Sequence, residues 1–327
     1  MITAVYSGDP TYAASTSDPI SQVVSRAWTS TTLTLSPNPS SFTQSVTFTA
    51  RVTGANGTTP TGTISFSDGS AFLGTCSLTS GGACTFSTAA LTTGTHALTA
   101  LYSGDTLRYD SVSAALTQTV NRAATTTSLA SSQNPAPYGA SVTFTITVTS
   151  GDGIPTGSVS LSDGSTTVGT CSLTSGGSCT VTTSALVGGT RALVATYGGD
   201  ASRLGSGSAT LTQTVAIASS TTTLTSSANP ASWGTTIVFR ASVNGTATGT
   251  ISFSDGSTGI GTCSLTTGGS CTVSTNALDA GLHAIVATYG GDANRSGSVS
   301  SAVSQTITRA STTTTLTSSL APSSYGA

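Results

Sequence analysis

Lysine and glutamate are absent from the 327 residues: all nine basic side chains are Arg and all eleven acidic ones are Asp. Charged residues make up 6% of the chain, against about 25% in an ordinary soluble protein. A net charge of −2 leaves no basic patch for nucleic acid and no polybasic segment for a membrane surface. Long apolar runs are missing too, and nothing approaches the ~18 consecutive apolar residues of a membrane-crossing helix. The N-terminus MITAVYSGDP has no basic or apolar leader region, which places any export signal outside this chain. Disorder is also excluded, because mean hydropathy is +0.18 and apolar residues alternate with Thr and Ser.

What is present is repetition. All six cysteines lie in CSLTSGGAC (76–84), CSLTSGGSC (171–179) and CSLTTGGSC (263–271), at intervals of 95 and 92 residues. YSGD at Tyr6 and Tyr102 and YGGD at Tyr197 and Tyr289 recur with nearly the same period. Three full repeats are expected over 26–122, 123–217 and 218–309. Residues 1–25 match only the last two strands of a repeat, and 310–327 match only its start, with Ala321-Pro322 at the Asn-Pro position. That arrangement reads as a window onto a longer array. Head-to-tail contact between such ends is a further expectation, because a half-domain leaves sheet edges unpaired.

Inside a repeat the period is two, the signature of strands. Val46, Phe48, Ala50 and Val52 alternate with polar residues, as do Val142, Phe144, Ile146, Val148 and Ile237, Phe239, Ala241, Val243. A second strand (Ile64, Phe66; Val159, Leu161; Ile251, Phe253) ends in Asp-Gly, which suits a type I′ hairpin turn. Asn38-Pro39, Asn134-Pro135 and Asn229-Pro230 interrupt the opening strand. Proline cannot donate to a ladder, so that strand belongs on an edge and changes sheet there. Seven short strands per repeat predict an all-β fold of tandem antiparallel sandwiches.

The chemistry on offer is narrow. A Cys-x₇-Cys pair has the wrong spacing and too few partners for zinc, and His96 and His283 have Arg191 as their counterpart in the middle repeat. Disulfides Cys76–Cys84, Cys171–Cys179 and Cys263–Cys271 are expected instead, each as a cross-strand staple of one hairpin. Closing so small a loop contributes about 2.6 kcal/mol as an upper value, and paired thiols imply an oxidising compartment. Asp9, Asp105, Asp200 and Asp292 could offer oxygens to calcium, but too few carboxylates lie near them, and Asx turns are the simpler expectation. Arg108, Arg203 and Arg295 are placed to pair with the last three. Gln22, Gln118, Gln213 and Gln305 share the parity of core residues and need partners, which the irregular backbone around Asn-Pro could supply. Asn56, Asn244 and Asn294 sit in N-x-[ST] sequons at chance frequency. No serine triad is discernible, and no catalytic residue, metal or cofactor is expected.

The series TTTSL, NP, SVTF, PTGTISFSDG, LGT, HALTA, YGGD and LTQTV resembles the bacterial Ig-like repeat domain (group 3 type) of long exported surface proteins. The resemblance implies immunoglobulin-like topology and a spacer or adhesin role without a shared catalytic motif. It also implies that the Cys hairpin tip and the YGGD loop face the preceding repeat, which would place each disulfide near a joint. Short linkers such as QTVNRAATTTSL lack glycine runs and are semi-rigid. The expectation is an extracellular, cell-surface structural rod: a stalk or fibre whose partners are neighbouring Ig-like repeats. Two rivals remain. One is a binding module that grips sugar or protein through the loops after Tyr102, Tyr197 and Tyr289, using Asp105, Arg108, Asp200, Arg203, Asp292 and Arg295. The other is an accessory region of a secreted enzyme.

Overall fold

Alternation decides which faces meet. A computed structural model describes residues 1–55, 59–319, 322 and 325, and Asn56 of the first sequon and Ala321 of the last Asn-Pro-like position fall outside them. Two short strands come first, β1 (Val5–Tyr6) and β2 (Ser15–Thr16). The first full repeat then contains β3 (Thr29–Ser36), β4 (Ser40–Ser41), β5 (Val46–Gly54), β6 (Thr63–Asp68) and β7 (Ala71–Ser77). It is completed by β8 (Ala83–Thr88), β9 (Gly94–Tyr102), β10 (Ser111–Val112) and β11 (Leu116–Asn121). One sheet has the order β3-β5-β8, and the other has β4-β11-β9-β6-β7 with β10 paired to β9. The same plan recurs over 125–216 and 222–308. The two strands that the period of two did not reveal, β4 and β10, are two residues long, too short to display it.

Each sandwich buries the residues that alternation picked out. In the first repeat Phe48, Ala50, Ile64, Phe66, Leu98, Ala100 and Tyr102 are fully buried, and each large side chain among them contributes roughly 1.5–3 kcal/mol. Residues 1–25 keep the register of a full repeat: Val5 pairs with Thr16 and Ile2 bridges Ile20, as Leu101 pairs with Val112 and Leu98 with Leu116.

The opening strand does change sheets. β3 pairs with β5, and after Pro37-Asn38-Pro39 the chain pairs in parallel with β11 through β4. The Asn side chain bridges the gap where proline cannot donate. Asn38 Nδ2 donates to Thr117 O at 2.7 Å, and Asn38 Oδ1 accepts from Thr119 N at 3.1 Å. Asn134 does the same with Thr212 and Thr214, and Asn229 with Ser304 and Thr306. From the other side, buried Gln118 donates to Pro37 O, Gln213 to Gln133 O and Gln305 to Ala228 O, all at 2.9–3.0 Å. Ser131 and Ser226 also donate to the Oε1 atoms of Gln213 and Gln305. Leu35 stands at that place in the first repeat, and Gln118 Oε1 is buried without a partner.

Two expectations need correcting. The β6–β7 turn is not Asp-Gly. Asp68 pairs with Ala71, so the two-residue loop is Gly69-Ser70, with positive φ only at Gly69 (53°), as a type II′ turn requires. Asp68 instead serves the neighbouring strand, where its Oδ1 accepts Ala97 N and its Oδ2 lies 2.7 Å from His96 Nδ1. The cysteine segment is not a ladder hairpin either. β7 and β8 belong to different sheets, and Leu78–Gly82 carries the chain from one to the other. Cys76–Cys84, Cys171–Cys179 and Cys263–Cys271 are therefore inter-sheet bonds, with Cα separations of 5.8–5.9 Å. Equal spacing about Ser80 fits either geometry, and only the pairing of β7 with β6 and of β8 with β5 separates them.

Gly74 in β7 shows how closely the sheets approach. A Cβ there would lie 2.3 Å from the Phe86 ring, which is stacked on Phe66 and edge-on to Phe48. To make room, the ring would have to leave its packing on Phe66 and Phe48. Gly74→Ala is expected to destabilise the first repeat by about 1–3 kcal/mol through overpacking, read as a lower denaturation midpoint for one transition with the other repeats unchanged.

Candidate functional site: the joints between repeats

The loop after each central tyrosine is built around one carboxylate. Asp105 Oδ1 accepts Leu107 N at 2.9 Å, which is the expected Asx turn, while Oδ2 accepts Thr61 N, Thr61 Oγ1 and Arg108 Nη1. Asp200 receives Ser202 N, Thr156 N, Thr156 Oγ1 and Arg203 Nη1. Asp292 receives Asn294 N, Arg295 N, Thr248 N and Thr248 Oγ1. A carboxylate offers about four acceptor sites, so the chain's own donors fill all three. Burial alone would raise these carboxyls. The Leu107, Thr61 and Arg108 donors outweigh it and hold Asp105 well below the usual carboxylate range, and Asp200 is lowered to about 2. The tyrosine hydroxyls respond in the opposite sense. Burial, then Asp105, pushes Tyr102 up to about 12, and its OH donates to Thr61 O at 2.8 Å. Asp9 keeps the turn through Thr11 N and Tyr12 N, but Tyr12 occupies the arginine position.

The linker docks on this loop. Ala123 N donates to Ser202 O at 2.9 Å and Ala123 O accepts Leu204 N at 2.8 Å. Ala218 repeats the pattern with Asn294 and Ser296, and Ala27 with Leu107 and Tyr109. The threonines of the TTT motif then hold the opening strand to β10 and its equivalents: Thr31 and Thr127 lie 2.7 Å from Ser111 Oγ and Ser206 Oγ.

From the preceding repeat comes an aromatic side chain placed immediately after β4 or its counterpart. The Arg203 guanidinium lies 5.9 Å from the Phe42 ring centre and donates to Asp152 O, and Arg295 lies 5.8 Å from that of Tyr138. Thr43 Oγ1 donates to Asp152 Oδ1 at 2.7 Å, and Thr93 Oγ1 to Ala201 O at 3.0 Å. At the second joint Gly188 N donates to Asn294 Oδ1 at 3.0 Å. Of the residues put forward from sequence as binding groups, Asp105 and Arg108 are paired within the first repeat's loop. Asp200, Arg203, Asp292 and Arg295 lie at joints. The cysteine turn shares this end: Gly177 O accepts Val148 N, and Gly157, bonded to Leu173, lies against the Tyr197 ring. Sequence reasoning missed the aromatic partner, although its recurrence at Phe42, Tyr138 and Trp233 was a readable signal.

Thr43 carries a visible cost of the first joint. Its φ is +62°, where the matching residues are Gly139 and Gly234, and a β-branched residue there is strained by about 1–3 kcal/mol. Thr43→Gly is expected to raise the first repeat's stability by about 1 kcal/mol while removing the hydroxyl that reaches Asp152. Denaturation and ¹⁵N relaxation of the two repeats would read these opposite effects separately.

At the other end of each sandwich, His96 sits between two acceptors, Asp68 Oδ2 at 2.7 Å and Thr92 O at 2.8 Å. His283 sits likewise between Asp255 and Asp279 O. Only an imidazolium donates from both nitrogens, and the middle repeat places Arg191 near Asp163 (3.6 Å) with a bond to Gly188 O. Burial opposes the charge on His96, but Asp68 and Thr92 O overcome it and raise its pKa; Asp255 chiefly raises that of His283. Folded pKa values above the unfolded ~6.5 contribute stability that is fully present below that pH and is lost as pH rises through the folded values. The denaturation midpoints of the first and third repeats should fall above pH ~6.5, and His96→Arg with His283→Arg should flatten that dependence.

Loops of this kind at the meeting ends of two-sheet sandwiches define a tandem array of immunoglobulin-like domains. The bacterial Ig-like domain (group 3) family matches the chain over residues 33–121, 129–216 and 224–308, and the chain belongs to that family. Among solved structures it is similar to the Escherichia coli adhesin FdeC (16% identity, 85% of this chain and 96% of that one, TM-score 0.32). The D1–D4 ectodomain fragment of ICAM-5 is similar at 16% identity, covering 85% of this chain and 75% of that one, with a TM-score of 0.37. Three N-terminal domains of the bacteriophage RB49 outer capsid protein Hoc are similar at 13% identity, covering 86% and 100%, with a TM-score of 0.29. No curated protein sequence matches the chain.

Proposed function

We propose that this chain is a non-catalytic structural array of the bacterial cell surface, a stiff stalk or fibre that supports adhesion or surface assembly. The observation that carries this reading is the joint. In each of two successive joints an arginine of one repeat is capped by an aromatic side chain of the one before, and the linker is hydrogen-bonded rather than loose. Disulfides in all three repeats favour an oxidising, extracellular setting. The loops after Tyr197 and Tyr289 are engaged at joints, which disfavours them as ligand-gripping surfaces.

Small-angle scattering on the full chain tests the proposal. A narrow, extended distance distribution is expected, and Phe42→Ala with Tyr138→Ala should broaden it into that of a flexible string while the melting of the individual repeats stays unchanged. An intact chain already as flexible as the double variant would remove the support for a stiff stalk.

A further inference from the structure

The turn that touches the second repeat at the first joint is held by a side chain whose charge depends on pH. His96, its side chain 9% exposed, lies between Asp68 Oδ2 and Thr92 O. The residue after Thr92 reaches across the joint, where Thr93 Oγ1 donates to Ala201 O at 3.0 Å. In the second repeat Arg191 stands in place of the histidine and holds the equivalent turn through Gly188 O at 2.8 Å. Gly188, at the place of Thr93, donates its N–H to Asn294 Oδ1, and a Cβ there would run into Ala293 O. Both joints thus use the same turn, but a guanidinium keeps its charge near neutral pH and an imidazole does not.

We infer that His96 is a proton-operated latch on the first joint: protonated, it fixes the Thr92–Thr93 turn against Ala201, and deprotonated, it releases that turn and loosens the second repeat from the first. A neutral imidazole has one N–H. The charged acceptor Asp68 keeps it on Nδ1, which leaves the bare Nε2 lone pair 2.8 Å from Thr92 O. Two acceptors repel at that distance, so the carbonyl turns away and carries Thr93 with it. Of the elements packed on His96, β6 brings Asp68, β11 brings neutral Gln118 opposite it, and residues 89–93 bring no charge. Across the joint, Asp200 and Arg203 are paired with each other beside Ala201. Asp200 is lowered to about 2 and Tyr197 is raised above its ordinary value, so neither changes charge near neutral pH. A latch of this kind rests on the proposed stalk for an ordered first joint, and makes the stiffness of that joint conditional while the second stays constant.

An NMR titration of the full chain from about pH 5 to 9, bracketing the ~6.5 of a free imidazole, tests the latch. The amide signals of Ala201 and Ser202, in the second repeat, should shift with the midpoint of the His96 ring signals, in the first. Those of Ala293 and Asn294, at the second joint, should stay fixed. His96→Arg, the side chain that the second repeat already carries, should abolish the shift, and His283→Arg should leave it intact. Thr93→Val separates the latch from simple loss of stability: His96 still titrates and the first repeat's denaturation midpoint still falls with pH, but Ala201 and Ser202 no longer follow. ¹⁵N relaxation should show the tumbling times of the first two repeats drifting apart at high pH, and staying together in His96→Arg. Ala201 and Ser202 signals that stay flat while His96 titrates, or that follow equally in Thr93→Val, would overturn the latch and leave the stalk standing. Repeats that tumble independently already at low pH would remove the ordered joint and the latch together.

Discussion

The sheet switch at Asn-Pro is the constraint on which the rest of the molecule hangs. Proline removes the donor that would let β3 continue on β5, and two side-chain amides take over the bonding that the backbone gives up. Asn38 pairs with β11 as a strand residue would. Gln118 reaches back from β11 to the carbonyl before the asparagine. A buried amide without partners costs more than its hydrogen bonds contribute, so this clasp admits one register. The chain leaves it through β4, two residues long, directly into Phe42. The aromatic that caps the next repeat is thus placed by the same bonds that hold the two sheets of its own repeat together.

The poverty in charge follows a similar logic. With so few ionic groups in the chain, several of those in the repeats are committed to a fixed local partner: Asp105 with Arg108, Asp200 with Arg203, Asp68 with His96, Asp255 with His283. Ser and Thr, which are neutral and can bond a nearby backbone, cover the remaining surface. Thr32 and Thr34, on the outer face of β3, donate across to Arg51 O and Thr49 O. Near neutral pH the charge of such a surface is conditional at the two histidine pairs, while the lowered Asp105 and Asp200 carboxyls respond only in acid.

How much of this could be read from the sequence depended on whether a feature was local and periodic. The alternation Val46, Phe48, Ala50, Val52 gave the core strand of each repeat directly, and the proline positions gave the change of sheet. The buried glutamines betrayed themselves by parity. The disulfide pairing was a matter of spacing, but its geometry was not. Whether Cys76 and Cys84 face each other along a ladder or across the sandwich depends on which strands β7 and β8 choose as neighbours, and those partners lie far off in sequence. The joint was harder still. Phe42 and Arg203 are separated by a whole repeat, and neither is unusual in its own segment. The His96–Asp68 pair could not be foreseen for the same reason, since it is set by a contact made in three dimensions, whereas Gly139 and Gly234 at the place of Thr43 were a readable sign of its positive φ.

Placing the disulfides between sheets changes what they do for the sandwich. The two sheets have four edges, and the chain joins them in pairs: β3 runs into β4 on one side, β7 into β8 on the other. The first crossing is held by the Asn and Gln amides and the second by the Cys76–Cys84 bond, so neither side of the sandwich can gape and expose ladder groups to other chains. Pulling on the ends loads β3, β4 and β11, where the chain enters and leaves, and β4 lies parallel to β11, so that their bonds are strained together in shear. The disulfide stands on the far edge, outside that path. It holds the two sheets together at the end of the sandwich where the Asp200–Arg203 and Asp292–Arg295 loops meet Phe42 and Tyr138. The amide clasp thus secures the strands through which the chain enters and leaves, and the disulfide secures the opposite edge of the same sandwich.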